Sequence, residues 1–351
     1  MVIRKLSLMT IIFYIAISAT NSFASNEITK WRDNRAAAVS ITFDDGRESQ
    51  LTVGAPLLNS HNLKGTFFII SGFFPRGSTT LEQWQQAAEQ GHEMASHSVT
   101  HPDLTQLSEE QVREELLISK EQIDQWFPYQ SCTTFAYPSG YLNEEVESLA
   151  SEYYIGARGI YAPEGGNLNH YYDGNGWSAV DFYNIAGQSI LENPYAALQQ
   201  AEEQGAWWVV YMHDVDAEVL SSFLDELVSR NIWVDTFGAV TRYMREKLAS
   251  EPLEVISENS SEIKLNLTNS LAPGIYNEPL TIRSSVPSDW FEVRVQQGES
   301  ISVVQRTIEE GETVVYYSAI PNKGVITLSR HKHKRGVRGL EFIFPLLLTL
   351  Q

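Results

Sequence analysis

The chain has 351 residues, 43% of them hydrophobic, and a formal net charge of −19. That length holds one large domain or a large and a small one, and the acidity excludes nucleic acid, whose phosphates it would repel. A single cysteine, Cys132, excludes an intramolecular disulfide framework.

At the N-terminus Arg4 and Lys5 precede an apolar stretch, Leu6 to Ile17, and Ser22-Phe23-Ala24 puts small residues at both cleavage-determining positions. This is the layout of a secretory signal peptide over residues 1–24, cut after Ala24. A retained anchor is the alternative, but the apolar core is short for a span. Losing Arg4 and Lys5 takes the net charge from −19 to −21. An exported chain without bridges fits a bacterial envelope, periplasmic or extracellular, with no stable membrane span after cleavage.

From about residue 38 to residue 249 strand and helix patterns alternate. Ala38–Phe43 is an apolar, β-branched run followed by helical periodicity through Leu57 and Leu58. Gly65–Ser71 is a second strand with a helix at Leu81–Glu89 behind it. His92–Ser96 is a third, followed by a helix over Ser108–Trp126 that starts with a Ser108/Gln111 capping box. Thr133–Ala136, Tyr153–Arg158, Trp207–Met212 and Ile232–Asp235 read as later strands. About seven such units imply parallel strands with crossover helices, in an open sheet or a barrel. Ile160–Ala186, rich in Gly, Asn and Tyr, interrupts the rhythm as a long surface excursion.

Beyond Leu248 the pattern changes to short alternating segments: IKLNLTN, YNEPLTIRS, WFEVRVQQ, ISVVQRT, TVVYYSAI and GVITLS. These predict a small all-β sandwich over residues 251–351, after an α/β domain over residues 25–250. The final FIFPLLLTLQ is too short to span a bilayer and contains Pro345, so it reads as a terminal strand or edge.

Four constellations carry chemistry. Asp44 and Asp45 end the first strand ahead of Gly46; they either cap the following helix or face the mouth of a site at the carboxyl ends of parallel strands. His97 and His101, four apart after the third strand, either decorate a turn or chelate one cation, and two histidines with one carboxylate form a catalytic type of metal set. His213 ends an apolar strand, where a histidine is either a satisfied loop residue or a general acid. Phe135–Gly140 ends a strand in a Pro-x-Gly turn able to present a backbone N–H to an oxyanion.

The order TFDDG, then HSVTHP within GHEMASHSVTHPDL, then the Pro-x-Gly turn, then a strand ending in Met-His resembles the NodB-homology polysaccharide deacetylases, the family 4 carbohydrate esterases, over residues 38–249. The resemblance implies a distorted (β/α) barrel of about seven strands and removal of acetyl groups from an N-acetylated or O-acetylated glycan. It implies a divalent metal, usually zinc, with Co2+, Ni2+ or Mn2+ as alternatives. By resemblance Asp45, His97 and His101 hold the metal, Asp44 is the general base, His213 is the acid, and the Ser139 N–H supports the oxyanion. Tyr137, Pro138, Trp177, Asp173 and Asp181 are the residues it suggests for the substrate pocket.

Two departures stand out. Ala136 replaces the arginine that tunes the base in the family, and Arg158 is the residue expected to reach the same place. The fourth motif is degraded: DGNGW keeps Asp173 and Trp177, and Asp181 is offered instead as a second acid to orient His213. His92 reads as structural and His61 as a helix-surface residue without an evident partner. Tyr161, His170, Tyr171 and Tyr172 either stack on sugars or cover core. The basic cluster Arg330–Arg335, with Arg338, is either a solvated hairpin face or a dock for anionic glycan. The rival readings are an O-acetyl esterase and a non-catalytic carbohydrate-binding protein on an esterase scaffold.

Overall fold

The computed structural model describes residues 25–160, 168–169, 181–250 and 252–331. The signal-like segment, Tyr161, His170 to Trp177, Lys332 to Arg335, Arg338 and the apolar C-terminal stretch lie outside the described residues. Among the described residues no helix is long and apolar enough to cross a membrane.

The strands in chain order begin with β1 (Asn26–Ile28), β2 (Ala37–Asp44), β3 (Thr66–Ile69), β4 (Glu93–Ser96), β5 (Thr134–Ala136) and β6 (Gly156–Arg158). They continue with β7 (Leu168–Asn169), β8 (Gly187–Ser189), β9 (Trp207–Met212) and β10 (Ile232–Val234). Helices α1 (Ala55–Ser60), α2 (Leu81–Glu89), α3 (Glu109–Trp126), α4 (Glu144–Tyr153), α5 (Pro194–Gln204), α6 (Ala217–Val228) and α7 (Phe237–Ser250) alternate with them. The Ser108/Gln111 capping box starts α3 as its sequence predicts, and a second, Thr80/Gln83, starts α2.

Strand β2 is buried along its whole length, as a parallel strand covered on both faces should be. Ala37, Val39, Ile41 and Phe43 face the helices in one apolar cluster, while Ala38 belongs to a second. Ser40 and Thr42 share the inner face and are satisfied there by Trp207 Nε1–H and the Val210 carbonyl. The period of two thus points Asp44 inward.

Parallel pairing runs β6-β5-β4-β3-β2-β9-β8. A parallel bridge between Arg158 and Ile185 brings the two ends together. The result is the nearly closed seven-strand (β/α) barrel that the resemblance implies. Membership differs from the sequence count in one strand. Among the described residues Ile232–Val234 pairs only with Ala37–Val39, and the seventh barrel position belongs to Gly187–Ser189, whose residues carry no β-branched signal.

Helix α7 closes the amino-terminal end of the barrel. Its first residue, Phe237, is fully buried against Phe68 and Trp207, with ring centroids 5.7 and 5.1 Å away. The free N–H groups of Phe237 and Gly238 are taken by Thr66 Oγ1 and Glu93 Oε2, both at 2.8 Å, as a helix start requires.

The C-terminal region forms two antiparallel sheets. One contains β11 (Glu254–Glu258), β12 (Glu262–Asn266), β18 (Ile326–Arg330), β14 (Glu292–Gln297) and β15 (Ser300–Gln305). The other contains β13 (Leu280–Ser285), β17 (Glu312–Ala319) and β16 (Thr307–Glu309), and its edge is β1, from the other end of the chain. Asn26, Glu27 and Ile28 pair with Ser284, Arg283 and Ile282, so the all-β unit takes a strand from ahead of the barrel. Its apolar interior is continuous with the barrel's inner core through α7.

Candidate active site

The residues singled out at strand ends converge on the carboxyl end of the barrel. Asp45, His97 and His101 place one ligand atom each within 4.8 Å of one another. Asp45 Oδ1 lies 3.8 Å from His97 Nε2 and 4.0 Å from His101 Nε2. Three backbone turns make this possible. Simple alternation along β2 would send Asp45 to the face opposite Asp44, but its φ of +81° turns the chain back. His101 and Ser98 also have positive φ, 62° and 64°, so the histidines do not lie on a helical turn as their spacing suggests.

Each donor is fixed from behind. His97 is 2% exposed and its Nδ1–H donates to the Ala136 carbonyl at 2.7 Å, leaving the Nε2 lone pair for a ligand. Burial pushes its pKa down to about 4, so the ring is neutral at physiological pH. The loop between the histidines hangs on Glu115 of α3, whose carboxylate accepts from Val99 N–H and Thr100 N–H at 2.8 Å and from Thr100 Oγ1 at 2.6 Å. Burial alone would raise the pKa of Asp45, but the Arg47 hydrogen bond and the nearby His97 and His213 hold it below the usual carboxylate value.

Asp44 stands apart from the donor set. Both its oxygens accept from Arg158 Nη2, at 2.7 and 2.6 Å, with the two side chains 5% and 2% exposed. Arg158 arrives from β6 and its guanidinium lies 4.8 Å from the Tyr211 ring. Arg158 is the parallel-register partner of Ala136.

His213 follows β9 and is exposed; its ring meets Tyr211 edge-on at 6.1 Å. Ser139 has φ 54° within the Pro138–Gly140 turn. That turn is closed by the Gly140 and Tyr141 N–H groups, leaving the Ser139 N–H outside it.

The pocket residues suggested by sequence fare differently. Tyr137 is a core side chain, 1% exposed, with its hydroxyl on the Tyr183 carbonyl. Pro138 is also buried. Asp181 accepts from Tyr183 N–H and lies against Glu147 of α4, whose pKa rises to about 7 through burial and then Asp181. Tyr137 and Pro138 thus pack into the barrel wall, while Asp181 is exposed. The exposed rim instead presents Phe73, Tyr141 and Leu191, on segments following β3, β5 and β8. Only their position after strand ends marks them in the sequence.

His92 and His61 serve the fold. His92 is buried, accepts the Gly65 N–H at 3.2 Å, and has its pKa lowered to about 4 by burial. His61 bonds the Leu57 carbonyl and Asp225.

Residues 32–156 match the family model described as polysaccharide deacetylase. These residues are a polysaccharide deacetylase domain. The deacetylase domain contains Asp44, Asp45, His97 and His101, while His213 and Arg158 lie beyond the matched span. The chain is 26% identical to a gellan lyase of a Bacillus species over 333 residues, covering 86% of this chain and 13% of that one. The peptidoglycan-N-acetylglucosamine deacetylase PgdA of Listeria monocytogenes is 35% identical over 127 residues, 34% of this chain and 25% of its own length. The chain therefore spans a quarter or less of these curated relatives. Among solved structures, a family 4 pseudoenzyme from Bacillus anthracis aligns at 19% identity with a TM-score of 0.44, covering 58% of this chain and 65% of its own.

Proposed function

We propose that the chain is an exported, metal-dependent hydrolase that removes acetyl groups from an N-acetylated poly- or oligosaccharide. The observation carrying this reading is the separation of labour at the end of β2: Asp45 joins His97 and His101, while Asp44 sits beside them on Arg158. One carboxylate and two imidazoles suit zinc, or Co2+, Ni2+ or Mn2+.

A divalent cation held by these donors supplies an acidified water and an electrophile for the acetyl carbonyl. Asp44, outside the donor set, accepts the proton of the attacking water. The Ser139 N–H stabilises charge developing on the carbonyl oxygen. His213 protonates the leaving amine. The exposed Phe73 and Tyr141 offer ring faces for sugars at the rim. The signal-like N-terminus supports action on a glycan outside the cytoplasm.

The test is an acetate-release screen over chitin oligomers, peptidoglycan, poly-N-acetylglucosamine and acetylated xylan, with zinc added and with metal chelated. Zinc-dependent acetate together with free amine on the sugar is expected. Ester loss without amine would make the chain an O-acetyl esterase, and glycan binding without acetate would make it a carbohydrate-binding protein. Within the enzyme, Asp44→Asn should lower kcat at least ~100-fold, the usual scale for losing a general base, while zinc content stays at the wild-type level. Loss of zinc in that variant would reverse the roles of the two aspartates.

A further inference from the structure

The segment after β2 and the segment after β9 are joined at three successive points. Arg47 Nη1 donates to Asp214 Oδ2 at 2.5 Å, Val215 N–H donates to Ser49 Oγ at 3.1 Å, and Gln50 Nε2 donates to the His213 carbonyl at 2.7 Å. Gln50 is fully buried, and the same amide donates to the Asp44 carbonyl at 2.5 Å and accepts the Arg47 N–H at 3.1 Å. Arg47 also grips the metal-type carboxylate: its Nε and Nη2 lie 2.9 and 2.8 Å from Asp45 Oδ2. The other oxygen, Oδ1, is the one nearest the two histidines.

We propose that Arg47, Ser49 and Gln50 form a positioning clasp with two effects. It couples the backbone of His213 to that of Asp44, and it leaves Asp45 a single oxygen for a cation. The His213 side chain makes no hydrogen bond among the described residues, so the peptide groups around it are what the fold anchors. A stability role explains the outer bridge poorly: Arg47 and Asp214 are 37% and 74% exposed, and pairs so exposed contribute little to folding. The proposal rests on the reaction proposed above for its kinetic part, while its metal part stands independently.

The test compares wild type with Arg47→Ala, Arg47→Lys and Asp214→Asn in the full chain. Three readouts are needed: kcat and KM, the thermal midpoint, and titration of the metal-free protein with cobalt followed by its visible spectrum. Arg47→Ala and Asp214→Asn should each lower kcat ~10-fold or more with KM within about twofold, the signature of a misplaced catalytic group, and Arg47→Lys should recover part of that loss. Arg47→Ala alone should bind cobalt more tightly with an altered spectrum, because a cation has left and Oδ2 is free to ligate. An unchanged kcat, or a loss that follows a fall in thermal midpoint, overturns the coupling. An unchanged cobalt affinity and spectrum overturns the single-oxygen role. If wild type releases no acetate from any glycan, the functional reading fails, and the cobalt titration by itself decides the clasp.

Discussion

Asp45 holds a left-handed backbone conformation that costs a non-glycine residue on the order of 1–3 kcal/mol. Ser98, His101 and Ser139 share that region of φ, so four of the ten positive-φ non-glycine residues described lie around the metal-type donors at the carboxyl end of the barrel. At the same end Asp44 and Arg158 form a buried ion pair. Removing one partner of such a pair costs about 3–5 kcal/mol, because the other is left charged without compensation. Arg158→Ala should therefore lower the urea midpoint substantially and reduce turnover. Wild-type stability in Arg158→Ala would mean that Asp44 finds another partner. The aspartate pair and the two histidines were legible in sequence as chemistry-bearing groups. That Asp45 itself takes positive φ was not legible, since no pattern of side chains records it.

At the scale of elements, the metal-type loop is held by a helix one layer away. Glu115 reaches from α3 to Val99 and Thr100, between the two histidines. Residues that orient ligands from behind typically alter metal affinity 10–100-fold. Glu115→Ala should weaken zinc binding by about that factor with the histidines intact, as measured by competition with a chelating dye, and unchanged affinity would reduce Glu115 to a helix-surface residue. The strands and helices with strong apolar periodicity were read correctly from sequence, including the capped start of α3. The missed strands, β1, β7, β8, β11 and β16, are short and rich in polar residues. Their conformation comes from neighbours that supply hydrogen bonds rather than from their own propensity.

For the whole molecule, the barrel and the C-terminal sheets are joined by polar contacts at a shared core. Tyr243 of α7 donates to the Thr29 carbonyl beside β1 at 3.0 Å, and Arg32 joins Asp235 and Glu278. Glu246, fully buried here, accepts the Glu278 N–H at 2.9 Å. Burial raises its pKa to about 7 from 4.5; the Glu278 N–H opposes the rise, the Glu278 carboxylate adds to it, and Arg242 and Arg32 oppose it. The folded state thus holds a proton that the unfolded chain releases near pH 4.5. The resulting stability is present in full below that pH and is lost as pH rises through about 7. Glu246→Gln, which mimics the protonated form, should unfold at a higher temperature than wild type at pH 8 and match it at pH 5. Equal midpoints at both values would show that the carboxyl is ionised throughout.

The amino-acid sequence determined the alternation of strands and helices, the all-β character of the C-terminal region, and which side chains carry chemistry, because periodicity and residue type are local properties. Tertiary structure alone decided that Arg47 and Gln50 bind the two site segments together, that Gly187–Ser189 completes the barrel, and that β1 joins the distant sheet. Each of these is a contact between residues far apart in the chain, set by how the barrel closes and not by anything adjacent in sequence.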